Sequence, residues 1–181
     1  MNKTEILPDL FLEGDSKNFR NWQSEYTQIK TCADCRNNHG KIYDFDVERY
    51  LPNHPYCRCY IIPMRTRQVG TVTNKGFDGA DAWLMYRGRL PDYYVTKEEA
   101  ALAGWIPNKH NLSEVLPGKM IGGDVYKNRC GLLPEKNNRI WFEADFDFEG
   151  GYRNRRRILY SNDGLIFISY DHASTFYELS K

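Results

Sequence analysis

The pattern of apolar and polar positions changes along this chain of 181 residues. In several early segments, apolar side chains recur three and four positions apart, as they do on one face of a helix. Helices are predicted at 19–29, 77–86, 97–103 and 111–116. Beyond residue 119, short apolar runs bounded by Gly, Asn and Asp predict strands. The strands are predicted at 120–125, 140–146, 156–161, 165–170 and 176–179.

The order of these elements predicts an α+β fold. Short helices come first and an antiparallel meander follows, so we expect the helices to pack on one multi-stranded antiparallel sheet. Two local signals define helix ends. Thr96 followed three residues later by Glu99 forms a capping box before the helix at 97–103. Gly88 ends the helix at 77–86.

The N-terminal third of the chain differs in composition from the rest. Four of the five cysteines and two of the four histidines fall between residues 32 and 59. We therefore predict a small Cys/His-rich module over 1–65. The segment 66–76 has no clear period and is predicted to be a linker. The α+β domain is predicted to cover 77–181.

The cysteine and histidine spacing predicts a structural metal site. A Cys-x-x-Cys motif at Cys32 and Cys35 precedes a His-x-x-Cys-x-Cys motif at His54, Cys57 and Cys59. Four of these five residues would be enough for a tetrahedral zinc site. A short segment buries little core, and a metal would compensate for that. Two disulfides or four reduced thiols are the alternatives that the spacing leaves open.

Charge and hydropathy limit the classes of partner. The net charge is +1, and residues 76–181 carry 14 Lys and Arg against 15 Asp and Glu. Many nucleic-acid binders have a basic excess, which is missing here. RNA would be held by a local basic cluster formed by Arg153, Arg155, Arg156 and Arg157. No apolar run approaches the ~20 residues of a membrane helix. The N-terminus also lacks the apolar core of a secretory signal.

Candidate catalytic groups follow one another on the strands of the second half. Glu143 lies on the strand at 140–146, a basic run follows the Gly150-Gly151 turn, and His172 follows the strand at 165–170. A carboxylate, arginines and a histidine on hairpin-linked strands are sufficient for acid–base cleavage of a phosphodiester. Glu and Arg on neighbouring strands also form ordinary cross-strand ion pairs. Spacing alone favours the ion pairs.

A family resemblance changes this balance. Residues 77–181 resemble barnase and its relatives, the small secreted bacterial ribonucleases. The shared motifs, in order, are LPDYYVTK at 90–97, LAGW at 102–105, IGGD at 121–124, WFEAD at 141–145, RILYS at 157–161 and DH at 171–172. The resemblance independently implies the same α+β fold. It also implies RNA cleavage without a metal cofactor.

The resemblance implies a role for each catalytic residue. Glu143 is the general base that deprotonates the ribose 2′-OH, and His172 is the general acid that protonates the leaving 5′-oxygen. Arg153, Arg157 and Lys97 stabilise the charge that develops on the phosphate. The product would be a 2′,3′-cyclic phosphate. DNA lacks the 2′-OH and should not be cleaved.

Base recognition in the resemblance falls on one loop. Its residues here are Tyr126, Lys127, Asn128 and Arg129, and the family contacts guanine there through backbone N–H groups. The next position holds Cys130, where the family has a glutamate that accepts hydrogen bonds from guanine. Ala173 stands after the catalytic histidine, where the family often has an aromatic residue. These two departures predict a weakened guanine preference. Asp124, Arg139 and Asp163 match family positions that we interpret as structural.

A second resemblance covers the N-terminal module. Residues 31–64 are similar to the C-terminal end of Mu F-like minor head proteins of phages, which share the cysteine motifs and their order. Such segments precede toxin domains in bacterial polymorphic toxins, so we expect an antibacterial toxin. It would be exported by a route other than a signal peptide, or with phage particles, and act in the target-cell cytoplasm. A barstar-like acidic immunity protein is the expected partner.

Two other functions stay open at this stage. The chain could be a phage-head-related structural or carrier protein with a silent nuclease-like domain. It could also be a nutritional ribonuclease, which the missing signal peptide disfavours. The presence of Glu143, Arg153, Arg157 and His172 favours an active enzyme.

Overall fold

A computed structural model of the chain describes residues 15–23, 33–44, 54–57 and 59–181. These residues form two compact units. The first unit contains the described residues up to Thr66 together with Asn128–Lys136, and the second contains Arg67–Lys127 and Asn137–Lys181. In the described ranges, none of the helices has the length and hydropathy needed to cross a bilayer.

The described part of the first unit is built mainly on strands. Its elements are β1 (Asp15–Gln23), α1 (Ala33–Asn38), β2 (Ile42–Asp44) and β3 (Tyr60–Gln68). β1 pairs antiparallel with both β2 and β3. The backbone N–H of Ile42 donates to the carbonyl of Leu132 at 2.8 Å, which ties β2 to the segment Asn128–Lys136 of the same unit.

The predicted helix at 19–29 is wrong over residues 19–23, which belong to strand β1. Residues 24–29 lie outside the described part of the chain. Residues 20–23 of β1 pair with residues 60–63 of β3. A helix of this length is marginal in water without packing, so pairing with a distant strand decides the conformation.

The second unit has the predicted order of helices and then strands. Two short 3-10 helices, Gly76–Asp78 and Pro107–Lys109, accompany its α-helices. Those helices are α2 (Ala80–Arg87), α3 (Lys97–Leu102) and α4 (Leu112–Val115). The strands are β4 (Tyr94–Val95), β5 (Met120–Tyr126), β6 (Trp141–Asp145), β7 (Arg157–Ser161), β8 (Ile166–Ser169) and β9 (Tyr177–Ser180). The α+β fold class is confirmed, since a few short helices precede a mostly antiparallel sheet.

The strand order in the second unit is β9-β8-β7-β6-β5-β4. All neighbours are antiparallel except β4 and β5, whose pairing is parallel. Gly122 of β5 is needed for close approach, because a Cβ there would lie 2.6 Å from the Tyr94 ring and 2.7 Å from Ala144 Cβ. In this strand order β6 lies between β5 and β7, in the interior of the sheet.

The core of the second unit forms between α2 and the sheet. Ala80 and Leu84 of α2 pack with Phe146, Ile158 and Ile168, all of them buried. Each large apolar side chain buried in this way contributes roughly 1.5–3 kcal/mol. This core supports the strands that carry the candidate catalytic residues.

The segment predicted as a linker, 66–76, is packed into the second unit. β3 continues to Gln68, and Val69 and Val72 are buried. Asp81 of α2 is fully buried and accepts hydrogen bonds from Gly70 N at 2.7 Å and Thr73 Oγ1 at 3.1 Å. The structure therefore differs from a loose linker at these positions, because a buried carboxylate fixes the backbone.

Candidate active site

β6 presents two carboxylates on one face of the sheet. Side chains alternate along a strand, so Trp141, Glu143 and Asp145 share a side. The side chain of Glu143 is 19% exposed, whereas that of Asp145 is 2% exposed. One strand thus supplies a carboxylate that solvent can reach and a buried carboxylate beside it.

Lys97 lies against the accessible carboxylate. Its Nζ donates a hydrogen bond to Glu143 Oε1. Lys97 is the first residue of α3, and the predicted capping box is confirmed: Glu99 N donates to Thr96 Oγ1, and Thr96 N donates to Glu99 Oε2. The Lys97 N–H also donates to the Asp124 carboxylate at 3.1 Å, which ties the helix start to β5.

The buried carboxylate holds both candidate arginines. Asp145 accepts from Arg153 Nε at 2.6 Å and from Arg153 Nη2 at 2.8 Å. Arg157 Nε lies 3.1 Å from Asp145 Oδ1, and the two residues are directly opposite in the β6–β7 register. Sequence analysis missed this role of Asp145. Its position two residues after Glu143, next to a basic run, was the available signal.

The two arginines have different pKa values, although they share a carboxylate. Burial lowers the pKa of both, but the hydrogen bonds and charge of Asp145 raise the pKa of Arg153 above its usual value. Burial prevails for Arg157, helped by the positive charge of Arg153, and its pKa is lowered. The charge of Glu143 acts on both guanidinium groups. Both guanidinium groups stay protonated at neutral pH, because arginine is effectively always protonated in proteins.

His172 is exposed on a rigid turn after β8. Its φ is 68°, in the left-handed region, and its N–H donates to the carbonyl of Arg155 at 2.8 Å. Asp171 accepts from Ser169 Oγ, Thr175 N and Thr175 Oγ1 at 2.8–2.9 Å. Partial burial raises the pKa of Asp171, but these hydrogen bonds outweigh it and lower the pKa. The turn therefore holds an accessible imidazole in a defined place.

Two of the four arginines in the predicted basic cluster pair with Asp145, and a third has its own carboxylate. Arg156 Nη1 donates to the mostly buried Asp147 at 2.8 Å. Arg155 is exposed. Arg139 and Asp163, interpreted from the sequence as buried structural residues, form a two-pronged ion pair at 2.9 Å in which Asp163 is exposed. Arg139 hydrogen bonds also lower the Asp163 pKa against the opposing effect of burial.

The predicted base-recognition residues span the end of β5 and the segment Asn128–Lys136, called here the 128–136 loop. Tyr126 ends β5, and Lys127 and Arg129 are exposed. Asn128 is buried with a φ of 42°. Its Nδ2 donates to Leu133 O at 3.0 Å, and its Oδ1 accepts from Leu133 N at 3.1 Å. The Asn128 side chain therefore shapes the loop, and Arg129 and Cys130 are exposed on it.

Three of the five predicted metal ligands lie together in the first unit. The Sγ atoms of Cys35, Cys57 and Cys59 are all within 4.8 Å of one another. His54 Nε2 lies 3.1 Å from Cys35 Sγ. Cys32 lies outside the described residues.

Comparison with known proteins gives consistent matches to ribonucleases, over more than half of the chain. A family model described as ribonuclease matches residues 82–180, more than half of the chain. A ribonuclease of Bacillus pumilus is 39% identical over 137 residues, which cover 70% of this chain and 85% of that protein. A ribonuclease of Heyndrickxia coagulans is 50% identical over 100 residues, or 55% of this chain and 92% of that protein.

Proposed function

Since this chain belongs to the barnase-like microbial ribonucleases and is thus an endoribonuclease, we propose that it cuts single-stranded RNA by attack of the ribose 2′-OH. The products are a 2′,3′-cyclic phosphate and a free 5′-OH. The observation that carries this proposal is the grouping around β6. Lys97 contacts the accessible Glu143, and the buried Asp145 holds Arg153 and Arg157.

Acid–base catalysis of this reaction needs two groups. Glu143 takes the proton from the 2′-OH as its oxygen attacks phosphorus. His172 gives a proton to the 5′-oxygen as the P–O bond breaks. Each is expected to contribute about 10²–10⁴ in rate. The partial exposure of Glu143 and the exposed position of His172 support these roles, because RNA must reach both groups.

Charge stabilisation is assigned to the fixed cations. Asp145 accepts from Nε and Nη2 of Arg153, so Nη1 is the part of that guanidinium that would donate to phosphate oxygens. Arg157 is anchored further, because its Nη1 donates to the carbonyls of Asn154 and Arg156 at 2.7 Å. Donors held in place before the reaction need no reorganisation as the phosphorane forms. The barnase family performs this chemistry without a metal ion.

Base selection is proposed for the backbone of the Tyr126–Arg129 stretch. Asn128 fixes the fold of the 128–136 loop through its two hydrogen bonds to Leu133. The exposed Cys130 offers a weak acceptor in place of a carboxylate. We therefore propose a broader base preference than a strict guanine-specific enzyme has.

The biological role we propose is that of an antibacterial toxin with an acidic immunity protein. A delivered effector is the role that the resemblance of residues 31–64 to phage head proteins, expected from their cysteine motifs, would support. Acidic groups of an inhibitor would bind Lys97, Arg153 and Arg157, the cations proposed to bind the RNA phosphate. The alternative of a silent nuclease-like carrier is less well supported, because the Lys97–Glu143 and arginine–Asp145 contacts are intact.

The left-handed backbone at His172 allows a matched test of the mechanism. Asn tolerates positive φ better than most residues, so His172→Asn removes the acid without straining the turn. We expect kcat/KM on short RNA to fall by about 10²–10⁴. His110, with a φ of 54°, provides the control variant His110→Asn, which should keep full activity.

Substrates complete this test. Oligonucleotides with a 2′-deoxy residue at the scissile position should resist cleavage, and cleavage of RNA should continue with metal chelated. Wild-type activity retained by a folded His172→Asn variant would refute the assigned mechanism.

A further inference from the structure

The first unit contains a compact group of metal-binding atoms that catalysis does not use. Cys35 of α1 approaches Cys57 with an Sγ–Sγ distance of 3.7 Å. A disulfide has sulfur atoms about 2.05 Å apart, so these two cysteines are not bonded. Zinc–sulfur bonds of ~2.3 Å in a tetrahedron place sulfurs about 3.8 Å apart. The observed separation matches two ligands of one zinc ion.

His54 is oriented as a metal ligand. Its Nδ1 lies 2.8 Å from the carbonyl of Pro55. A carbonyl only accepts, so Nδ1 carries the proton and Nε2 has the lone pair. That Nε2 faces Cys35 Sγ at 3.1 Å. Histidines that bind zinc characteristically donate their second ring N–H to a carbonyl in this way.

The surroundings of the group fit a closed structural site. Cys35 and Cys59 are buried, and Tyr43 of β2 and Ile61 of β3 pack against them with Cys57. Three thiolates and one imidazole complete four-coordinate zinc with no position left for water, the arrangement of structural sites. Binding would release the protons of three thiols.

A short series of contacts connects this group to the 128–136 loop within the first unit. Asn38, one turn after Cys35 in α1, accepts hydrogen bonds from Lys41 Nζ at 3.1 Å and Tyr43 Oη at 3.4 Å. Between those two residues, the N–H of Ile42 donates to Leu132 O. The next residue of the loop is Leu133. The Asn128 side chain hydrogen-bonds to both its N–H and its C=O.

We propose that Cys35, His54, Cys57 and Cys59 bind one zinc ion, and that this zinc orders the 128–136 loop. The metal fixes α1 against the His54–Cys59 segment, α1 fixes β2, and β2 pairs with Leu132. Zinc thus acts on the loop and not on the reacting phosphate. The consequence for base selection rests on the proposed function, whereas metal binding and loop order do not depend on it.

Native mass spectrometry of protein purified under reducing conditions tests the site. We expect one zinc per chain in the wild type and none in Cys35→Ser or His54→Ala. Cys130→Ser removes an exposed cysteine outside the group and should keep the zinc. A wild type without zinc, or zinc retained by Cys35→Ser or His54→Ala, would overturn the proposed ligand set. A metal-free mass two or four hydrogens lower would identify disulfides instead.

Hydrogen exchange tests the effect on the loop. Removal of zinc should accelerate exchange of the Ile42 and Leu133 amides by about 10-fold or more, because local opening becomes easier. Amides of β7 in the second unit should keep their protection. Unchanged exchange at Leu133 after zinc loss would overturn the coupling.

The inactive variant Glu143→Gln separates this inference from the proposed function. It should bind zinc and protect Leu133 as the wild type does. If the wild type binds zinc but cuts no RNA, the proposed function fails and the zinc site stands.

Discussion

The two compact units differ in the groups that hold them together. In the second unit, apolar side chains from α2 and from three strands form a core that includes Ile158 and Leu179, together with Phe146 just after β6. In the first unit, one buried cluster centres on Cys35 and Cys59, with Tyr43, Cys57 and Ile61 around it, and Met64 and Leu133 are buried elsewhere in the unit. A core of the first kind folds by excluding water. A cluster of the second kind gains most of its stability when a metal binds.

The proposed catalytic residues and the proposed zinc ligands lie in different units. Every residue assigned to catalysis lies in the second unit, on an apolar core that needs no ligand. The 128–136 loop lies within the sequence of the ribonuclease domain, yet it packs with the first unit. On the proposed function and the proposed zinc site, catalysis and substrate selection would depend on different sources of stability.

Removal of zinc by a chelator should have the largest effect, and this effect should fall on the first unit alone. A structural zinc contributes on the order of 10 kcal/mol to a small domain. We expect a strong chelator to unfold the first unit while the second keeps its core. Limited proteolysis should then cut within residues 33–66 and leave 137–181 intact. Simultaneous loss of both units on chelation would contradict this distinction.

The second-largest effect should be a loss of stability in the second unit when its buried carboxylate is neutralised. Asp145→Asn leaves two arginines without their carboxylate, and breaking a buried ion pair costs about 3–5 kcal/mol. Urea unfolding followed by tryptophan fluorescence measures this change, and kcat/KM should fall with it. Asp92→Asn is the matched control, because Asp92 pairs with Arg89 at an exposed site. We expect that control to change stability by at most about 1 kcal/mol.

Asp81→Asn tests whether residues 69–73 are a stabilising part of the second unit. The Asp81 carboxylate accepts from Gly70, Val72 and Thr73, and an amide cannot accept from all of them. Hydrogen bonds to charged groups are worth about 1.5–3 kcal/mol, so we expect a loss of that size in urea unfolding. The exposed Asp78→Asn serves as the control. A result equal to the control would mean that 69–73 behaves as a loose connection.

The smallest expected effect concerns acid stability. The pKa of Asp171 is lower in the folded state, so its stabilisation is present above the unfolded value of about 3.9. It is lost as the pH falls through the folded value. Asp171→Asn should therefore weaken the dependence of unfolding free energy on pH below ~4. The change should stay under about 1 kcal/mol, because Asp171 is only partly buried and solvent screens its interactions. Identical pH profiles would contradict this assignment.

Sequence patterns predicted the second unit far better than the first. Strands β5 to β9 lie within one or two residues of the predicted ranges, because each is a short apolar run bounded by Gly, Asn or Asp. The capping box at Thr96 and Glu99 is a local signal, and it was correct. β4 was missed, since a two-residue strand leaves no pattern.

The failures involve contacts between residues distant in the sequence. The apolar positions of 19–29 fit a helix, but residues 20–23 pair with residues 60–63. Val69 was also predicted to be part of a linker, yet its N–H donates to the carbonyl of Ser180, more than 100 residues later in the chain. The role of Asp145 depends on its register with Arg157. No local rule contains such information.

The pairing of Ile42 with Leu132 also imposes an order on biosynthesis. A ribosome releases the N-terminal strands first, but β2 gains this hydrogen bond only after the 128–136 loop has emerged. Lys97 is outside the ribosome by then, whereas Glu143, Arg153, Arg157 and His172 follow the loop in the chain and emerge later. A nascent chain can thus complete its first unit before its proposed catalytic base and acid have emerged. On the proposed mechanism, the cell that makes the protein therefore meets an inactive polypeptide until the last strands have left the ribosome.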